Sequence, residues 1–174
     1  MEVLLKVPLK KARAHLEGLT AQERLKWAID EFGQNFALTT SFGIQSSVLL
    51  HMVKEVQGNA VIPIIWVDTG YLPVETYLYA DQLTQYLALK VTTFQSQISP
   101  ARMEALHGKL WETNSVEDLE KYHLLRKVKP MEQALNDFKV HCWASGVRSS
   151  QTDLRKSMTH LDPLRGRLSL RPLL

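Results

Sequence analysis

The chain of 174 residues has 45% hydrophobic residues, a single cysteine and a formal net charge of +3. We expect one globular domain over residues 1–174, because its length and apolar fraction suit a single hydrophobic core. No apolar run approaches the roughly 20 residues that span a bilayer, and one cysteine excludes an internal disulfide and disfavours a zinc or iron–sulfur site. These features favour a cytoplasmic protein without a membrane segment.

Basic residues are concentrated in the last third of the chain. Residues 121–174 carry 11 Lys or Arg against 4 Asp or Glu, whereas residues 1–120 carry 10 against 14. Both a solvated basic face and a pocket for a polyanion fit this imbalance, because converging cations focus potential on phosphate or sulfate. Nucleic acid is a weaker candidate, since no basic run alternates with aromatic residues and no zinc-finger or helix-turn-helix spacing occurs.

Helical and extended patterns alternate along the chain. Apolar residues recur at helical spacing over residues 8–32, and Thr20 with Glu23 forms a capping-box signature where this pattern is interrupted. Two short helices are therefore expected first. The predicted strands that follow are residues 36–40, 61–67, 90–94 and 140–144, and the predicted helices are residues 45–56, 73–87, 100–107 and 130–138.

This order of elements predicts an α/β fold, a three-layer sandwich with a mostly parallel central sheet. In open parallel sheets, ligands bind beyond the carboxyl ends of the strands. Residues 41–47 and 68–71 directly follow two predicted strands. We therefore expect the functional site at these two segments.

The first of these segments reads Ser-Phe-Gly-Ile-Gln-Ser-Ser over residues 41–47. A glycine permits close approach of a ligand to the backbone, and free amides at a helix N-terminus attract an anion. An ordinary turn capped by Ser46 or Ser47 explains the segment equally well. It is neither a Walker A loop nor a dinucleotide-binding Gly-x-Gly-x-x-Gly motif, which disfavours phosphoryl transfer assisted by a loop lysine.

Five segments in one order and spacing resemble the phosphoadenylyl-sulfate (PAPS) reductase family of the adenine-nucleotide α-hydrolase superfamily. Each segment is weak alone, but together they extend along nearly the whole chain. They are residues 40–45, residues 67–71 with 75–77, residues 108–112, residues 127–131, and residues 146–148 with Gln151 and Arg155.

The resemblance implies which residues bind the substrate. Those implied to hold its adenosine part are Ser41, Phe42, Gly43, Gln45, Ser46, Ser47, Asp68, Thr69, Gly70 and Tyr71. Lys127 matches a family lysine near the sulfate and phosphate, and Arg148, Gln151 and Arg155 match an arginine loop that closes over the substrate. Asp68 also fits a plain turn role, because Asp-Thr-Gly is favourable turn chemistry.

Two departures separate the chain from the sister family of adenylyl-sulfate (APS) reductases. That family carries an adjacent Cys-Cys pair where this chain has Tyr122 and His123, so the thiolates for an iron–sulfur cluster are missing at these positions. It also carries two acidic residues where this chain has Gln45 and Ser46. Two carboxylates would repel the 3′-phosphate of PAPS, whereas the neutral donors Gln45 and Ser46 tolerate it. Both differences favour PAPS as the substrate, without a bound cofactor.

The chemistry that the resemblance implies is the reduction of PAPS to sulfite in assimilatory sulfate reduction. A cysteine thiolate attacks the sulfonate sulfur, releases adenosine 3′,5′-bisphosphate and forms S-sulfocysteine, which thioredoxin or glutaredoxin then reduces. The family nucleophile lies in a C-terminal Glu-Cys-Gly-Leu-His tail, which we expect beyond Leu174, so no catalytic residue is assigned within the 174 residues. The family is also compatible with a homodimer.

Two other function classes fit parts of the sequence. Cys142 lies in a predicted apolar strand, which favours a buried, inert thiol. A nucleotide-binding module without catalysis therefore remains open, as does an ATP-dependent adenylating enzyme, although the latter normally carries Ser-Gly-Gly-x-Asp-Ser in the phosphate loop. A metal hydrolase and a serine esterase are disfavoured, because the six histidines form no metal pair at helical spacing and Gly-x-Ser-x-Gly is absent.

Overall fold

The computed structural model describes residues 7–148 and 158–174. In this part of the chain, six strands form one sheet in the order β3-β2-β1-β4-β6-β5. The strands are β1 (Phe36–Thr40), β2 (Ile64–Asp68), β3 (Val91–Gln95), β4 (Cys142–Ala144), β5 (Leu161–Leu164) and β6 (Arg167–Leu170). All neighbouring pairs are parallel except the pair of β5 and β6. The predicted α/β fold with a mostly parallel central sheet is confirmed.

Helices cover both faces of the sheet. They are α1 (Leu9–Glu17), α2 (Ala21–Phe32), α3 (Ile44–Val56), α4 (Val74–Tyr86), α5 (Pro100–His107), α6 (Val116–His123) and α7 (Lys129–Asp137). A π-helical segment, Leu124–Val128, joins α6 to α7. None of the helices in the two described ranges combines the length and the apolar character that crossing a membrane requires.

The two faces of the sheet carry separate hydrophobic cores, because successive side chains of a strand point to opposite sides. Leu38 of β1 and Ile64 of β2 belong to the larger core, which also receives buried residues from α1, α2, α3 and α4. Ala37 and Ile65, their neighbours in sequence, belong to the smaller core with residues of α7. This arrangement confirms the predicted three layers.

Most predicted elements are found within a few residues of their expected bounds. The capping box of Thr20 and Glu23 begins α2 as predicted, with reciprocal hydrogen bonds. The strand predicted over residues 61–67 begins only at Ile64, since Pro63 cannot donate a backbone hydrogen bond to a neighbouring strand. The strand predicted over residues 140–144 begins only at Cys142.

Helix α6, the π-helical segment and the hairpin of β5 and β6 were not predicted from the sequence. Helix α6 is short and buries none of its residues. The hairpin of β5 and β6 is fixed by tertiary contacts: the carboxylate of Asp162 accepts hydrogen bonds from Arg13 of α1 and from Arg171, each at 2.5 Å. These contacts join the last described residues to the first helix.

Candidate nucleotide-binding site

A cavity of about 450 Å³ opens at the carboxyl ends of β1, β2 and β4. Strand β1 stands where the strand order reverses, since β2 and β3 lie on one side of it and β4 on the other. Ligands of open parallel sheets bind at such switch points. Predicted site residues that line the cavity are Ser41, Gly43, Gln45, Ser46, Thr69 and Lys127, and they are joined by Thr39, Thr40, Trp66, Val67, Leu72, Met131, Ser145, Gly146 and Val147.

The segment between β1 and α3 forms one side of this cavity. Phe42 adopts a left-handed conformation with φ of 53°, its amide donates to Thr40 Oγ1 at 3.1 Å, and its buried ring packs edge-on against Trp66. Gly43 then begins α3 without a capping side chain. The amides of the first helical turn have no partners within a helix, so this end of α3 favours an anion.

The two serines of this segment have different surroundings. Ser46 is buried and lines the cavity, and its Oγ lies 3.3 Å from both the amide and the hydroxyl oxygen of Ser41. The hydroxyl of Ser47 instead donates to the Gly43 carbonyl at 3.2 Å and accepts from Tyr79 at 2.9 Å. Ser47 lines a separate depression between α3 and α4. Of the predicted residues in this segment, Phe42 and Ser47 are not among those that line the cavity.

The loop after β4 closes one side of the cavity at short range. A Cβ added to Gly146 would lie 3.3 Å from the carbonyl carbon and oxygen of Gln45 and 3.4 Å from the amide nitrogen of Ser46. Only a residue without a side chain permits this approach without a shift of the neighbouring backbone. Gly146 therefore fixes the spacing between the β4 loop and the first turn of α3.

The segment after β2 is held by hydrogen bonds within the protein. The buried carboxylate of Asp68 accepts from the Gly70 amide at 2.7 Å, from the Tyr77 hydroxyl at 2.8 Å and from Gln95 Nε2 at 2.6 Å. Thr69 lines the cavity, whereas Asp68, Gly70 and Tyr71 are not among its lining residues. The geometry gives Asp68 the turn role that the sequence also allowed.

A buried arginine that the sequence analysis did not single out supports the same segment. Arg126 lies in the π-helical segment and is 2% exposed. Its guanidinium donates to the carbonyl oxygens of Thr69 and Ile98, with Nε at 2.7 Å from the former. Gly70 has a φ of +75°, and an added Cβ would lie 2.7 Å from Arg126 and from Pro100. Glycine is required here by both conformation and space.

Lys127, the next residue, is exposed and reaches the cavity. Its Nζ lies 5.9 Å from the centroid of the Tyr122 ring. Tyr122 packs against Trp111, and both rings contact Tyr71. Burial and the hydrogen bond from Tyr71 to Glu104 raise the pKa of the Tyr71 hydroxyl to about 12. The predicted site residue Tyr71 is thus part of an aromatic cluster beside the cavity.

The three residues of the predicted arginine loop are only partly described. Arg148 directly follows the cavity-lining residues Ser145, Gly146 and Val147 and is half-buried. Gln151 and Arg155 lie outside the described residues. Of the three, Arg148 alone lies within the described residues, and it is not among those that line the cavity.

Cys142 is fully buried in β4, between β1 and β6. Burial raises the pKa of its thiol far above the usual range, so the reactive thiolate is strongly disfavoured. The prediction that this cysteine is a buried core residue is confirmed. Across the described residues, no three or more His, Cys, Asp or Glu side chains gather where they could hold a metal ion.

Comparisons with known proteins show which family the chain resembles. The family model of the phosphoadenosine phosphosulfate reductase domain matches residues 35–174, which include all five segments of the predicted resemblance. A phosphoadenosine 5′-phosphosulfate reductase of Synechococcus sp. is 49% identical over 166 residues, covering 95% of this chain and 71% of the relative. One of Synechocystis sp. is 45% identical over 171 residues, covering 98% and 68%. One of Photobacterium profundum is 44% identical over 166 residues, covering 95% and 64%.

Solved structures are similar as well. The crystal structure of a PAPS reductase from Candida auris, a phosphate complex, superposes with a TM-score of 0.79 at 25% identity, covering 97% of this chain and 80% of that one. An FMN adenylyltransferase from Candida glabrata superposes with a TM-score of 0.60 at 10% identity, covering 97% and 55%, and shares the fold alone.

Proposed function

Because the chain belongs to the phosphoadenosine phosphosulfate reductase family, we propose that its cavity binds PAPS and the product adenosine 3′,5′-bisphosphate. The family assignment confirms the resemblance carried by the five segments. It also places the chain among oxidoreductases that act on a sulfur group, as predicted.

One observation carries the proposal: the same cavity is lined by the uncharged first turn of α3 and by the ammonium of Lys127. Gln45 and Ser46 place no carboxylate near an additional phosphate, and the amides of this turn attract its charge. The phosphate bound in the similar Candida auris structure supports an anion site. The cavity volume also lies in the range of small-molecule sites.

The reaction we propose begins with a cysteine thiolate that attacks the sulfonate sulfur of PAPS. The bond between this sulfur and the 5′-phosphate oxygen breaks, its electron pair leaves with adenosine 3′,5′-bisphosphate, and S-sulfocysteine forms. Lys127 and Arg148 would stabilise the charge on the leaving phosphate. The thiolate comes from the family's Glu-Cys-Gly-Leu-His segment, since Cys142 is enclosed in the sheet and cannot reach the substrate.

A dithiol then supplies two electrons, releases sulfite and becomes a disulfide. The reductant we propose is thioredoxin or glutaredoxin in the cytoplasm, where such dithiols are kept reduced. Nothing in this scheme requires a bound cofactor or an iron–sulfur cluster, since the electrons come from the external dithiol.

A second candidate is a nucleotide-binding module that performs no reduction by itself. The burial of the single thiol among these 174 residues favours it for this chain alone. The two candidates share the binding site and differ in turnover. Sulfite release from PAPS and thioredoxin, measured with and without an appended Glu-Cys-Gly-Leu-His segment, separates them.

Titration calorimetry tests the binding site. We expect adenosine 3′,5′-bisphosphate to bind more tightly than ATP and PAPS more tightly than APS, because the site accepts the 3′-phosphate. Lys127→Ala and Arg148→Ala should each weaken binding about ten- to hundredfold, since a hydrogen bond to a charged group contributes roughly 1.5–3 kcal/mol.

Lys129→Ala is the matched control, because this exposed lysine lies two residues further on and lines a different cavity. It should leave the affinity unchanged. Equal affinities for PAPS and APS would contradict recognition of the 3′-phosphate. If the variants of Lys127 and Arg148 bind normally but unfold more easily, these residues have a structural role and do not bind the nucleotide.

A further inference from the structure

Tyr122 and Lys127 approach each other although they are five residues apart in sequence. On a regular α-helix, residues at this spacing point about 140° apart around the axis, too far for a contact. Here Nζ of Lys127 lies 5.9 Å from the centroid of the Tyr122 ring. The intervening Leu124–Val128 form a π-helical turn, in which the amide of Lys129 donates to the carbonyl of Leu124, five residues earlier. The wider turn brings both side chains to one side.

The position of this turn follows from Pro130, which is buried at the beginning of α7. Proline has no amide hydrogen, and its ring clashes with the carbonyl four residues earlier on a regular helix. That carbonyl belongs to Arg126, in the middle of the π-helical segment. The widened turn therefore accommodates Pro130 and, as a consequence, directs Arg126 into the interior and Lys127 into the cavity.

The Tyr122 ring packs within an aromatic cluster. Its centroid lies 5.4 Å from that of Trp111 and 6.1 Å from that of Tyr71, and the latter two are 4.6 Å apart. The hydroxyl of Tyr71 donates to Glu104 at 2.9 Å and anchors the cluster to α5. Aromatic pairs at such distances stabilise one another, so they present a fixed ring face to the ammonium.

We infer that Tyr122 is a positioning residue, whose ring holds the ammonium of Lys127 at the cavity for the phosphate or sulfonate of the nucleotide. This inference rests on the proposed role of Lys127 in nucleotide binding. Lysine has a flexible stem whose ordering costs entropy on binding. A contact that restricts the stem before the ligand arrives reduces this cost. Within the described residues, no carboxylate forms an ion pair with Lys127. The cation–π contact with the Tyr122 ring is therefore the electrostatic contact that its ammonium makes there.

A double-mutant cycle tests this inference. The affinity for adenosine 3′,5′-bisphosphate is measured by calorimetry for Tyr122→Phe, Tyr122→Leu and Lys127→Met, and for Tyr122→Leu combined with Lys127→Met. We expect Tyr122→Leu to weaken binding about two- to fivefold, the range of an exposed cation–π contact. Tyr122→Phe keeps the ring and should bind like the wild type. In the Lys127→Met background, Tyr122→Leu should have no further effect, because its influence acts through the lysine.

Thermal unfolding identifies any variant that fails to fold. If Tyr122→Leu is such a variant, Tyr122→Met replaces it, because methionine packs against aromatic rings. Equal effects of Tyr122→Leu in both backgrounds would overturn the inference, as would a loss in Tyr122→Phe as large as in Tyr122→Leu. If the wild-type chain binds no nucleotide, the proposed function fails. If it binds and only Lys127→Met weakens binding, the proposed function stands and the role of Tyr122 fails.

Discussion

The segments after β1 and β2 lie side by side at one edge of the sheet, but their polar groups have different partners. After β1, Gln45 and Ser46 of the first turn of α3 line the cavity, and no side chain caps this end of the helix. After β2, the carboxylate of Asp68 and the carbonyl of Thr69 are engaged by groups of the protein itself. We therefore expect the first segment to bind the ligand and the second to support the first.

The difference explains why a motif alone does not separate these two roles. A loop that binds phosphate and a loop held in a tight turn both need glycine and short polar side chains, the first for close approach and the second for backbone conformation. Only the partners of each polar group distinguish them. The following variants test the distinction, in order of decreasing expected effect.

Gly70→Ala should have the largest effect. A side chain at this positive φ costs roughly 1–2 kcal/mol, and overpacking against Arg126 and Pro100 adds about 1–3 kcal/mol. We expect the free energy of unfolding, measured by urea denaturation, to fall by about 2–5 kcal/mol in total. Gly58→Ala is the matched control, because Gly58 also has a positive φ but no atom within 4 Å of an added Cβ. Equal losses in both variants would show that the packing around Gly70 is not rigid.

Asp68→Asn should lower the free energy of unfolding by about 1–3 kcal/mol, because an amide offers one acceptor oxygen to the three donors now bound. Tyr77→Phe removes only one of these donors and serves as the milder control. Under the support role, nucleotide affinity in folded Asp68→Asn changes little. A large loss of affinity with unchanged stability would instead support the contact with adenosine that the family resemblance implies for Asp68.

The sequence predicts the fold well where a local pattern determines it. Strand β1 and helix α5 have their predicted bounds, because an apolar run and an N-terminal proline mark them. The hairpin of β5 and β6 escaped prediction although it carries a local signal. Its turn residues Arg165 and Gly166 both have positive φ, which is typical of a two-residue hairpin loop.

The sequence predicts which segments form the candidate site, but it predicts less well which of their side chains line the cavity. Residues 41–47 were expected at the cavity. The start of α3 determines that Ser46 faces the cavity and Ser47 the depression between α3 and α4, and the sequence does not give this start to the residue. The π-helical turn changes this phase between α6 and α7, so no regular periodicity distinguishes the buried Arg126 from the exposed Lys127. Pro130 was the one available signal, because a proline inside a helical pattern predicts a local distortion.

The smallest expected effect compares two adjacent serines of the binding segment. Ser46→Ala removes a buried hydroxyl that lines the cavity and contacts Ser41, and we expect calorimetry to show about two- to tenfold weaker binding of adenosine 3′,5′-bisphosphate, the range of one neutral hydrogen bond. Ser47→Ala is the control of identical chemistry, and it should not change the affinity, because its hydroxyl contacts Gly43 and Tyr79 outside the cavity. If both variants weaken binding equally, the first turn of α3 responds as a unit and the hydroxyl of Ser46 has no separate role. If Ser47→Ala alone weakens it, the ligand lies on the α3–α4 side, and the cavity assigned here is not the nucleotide site.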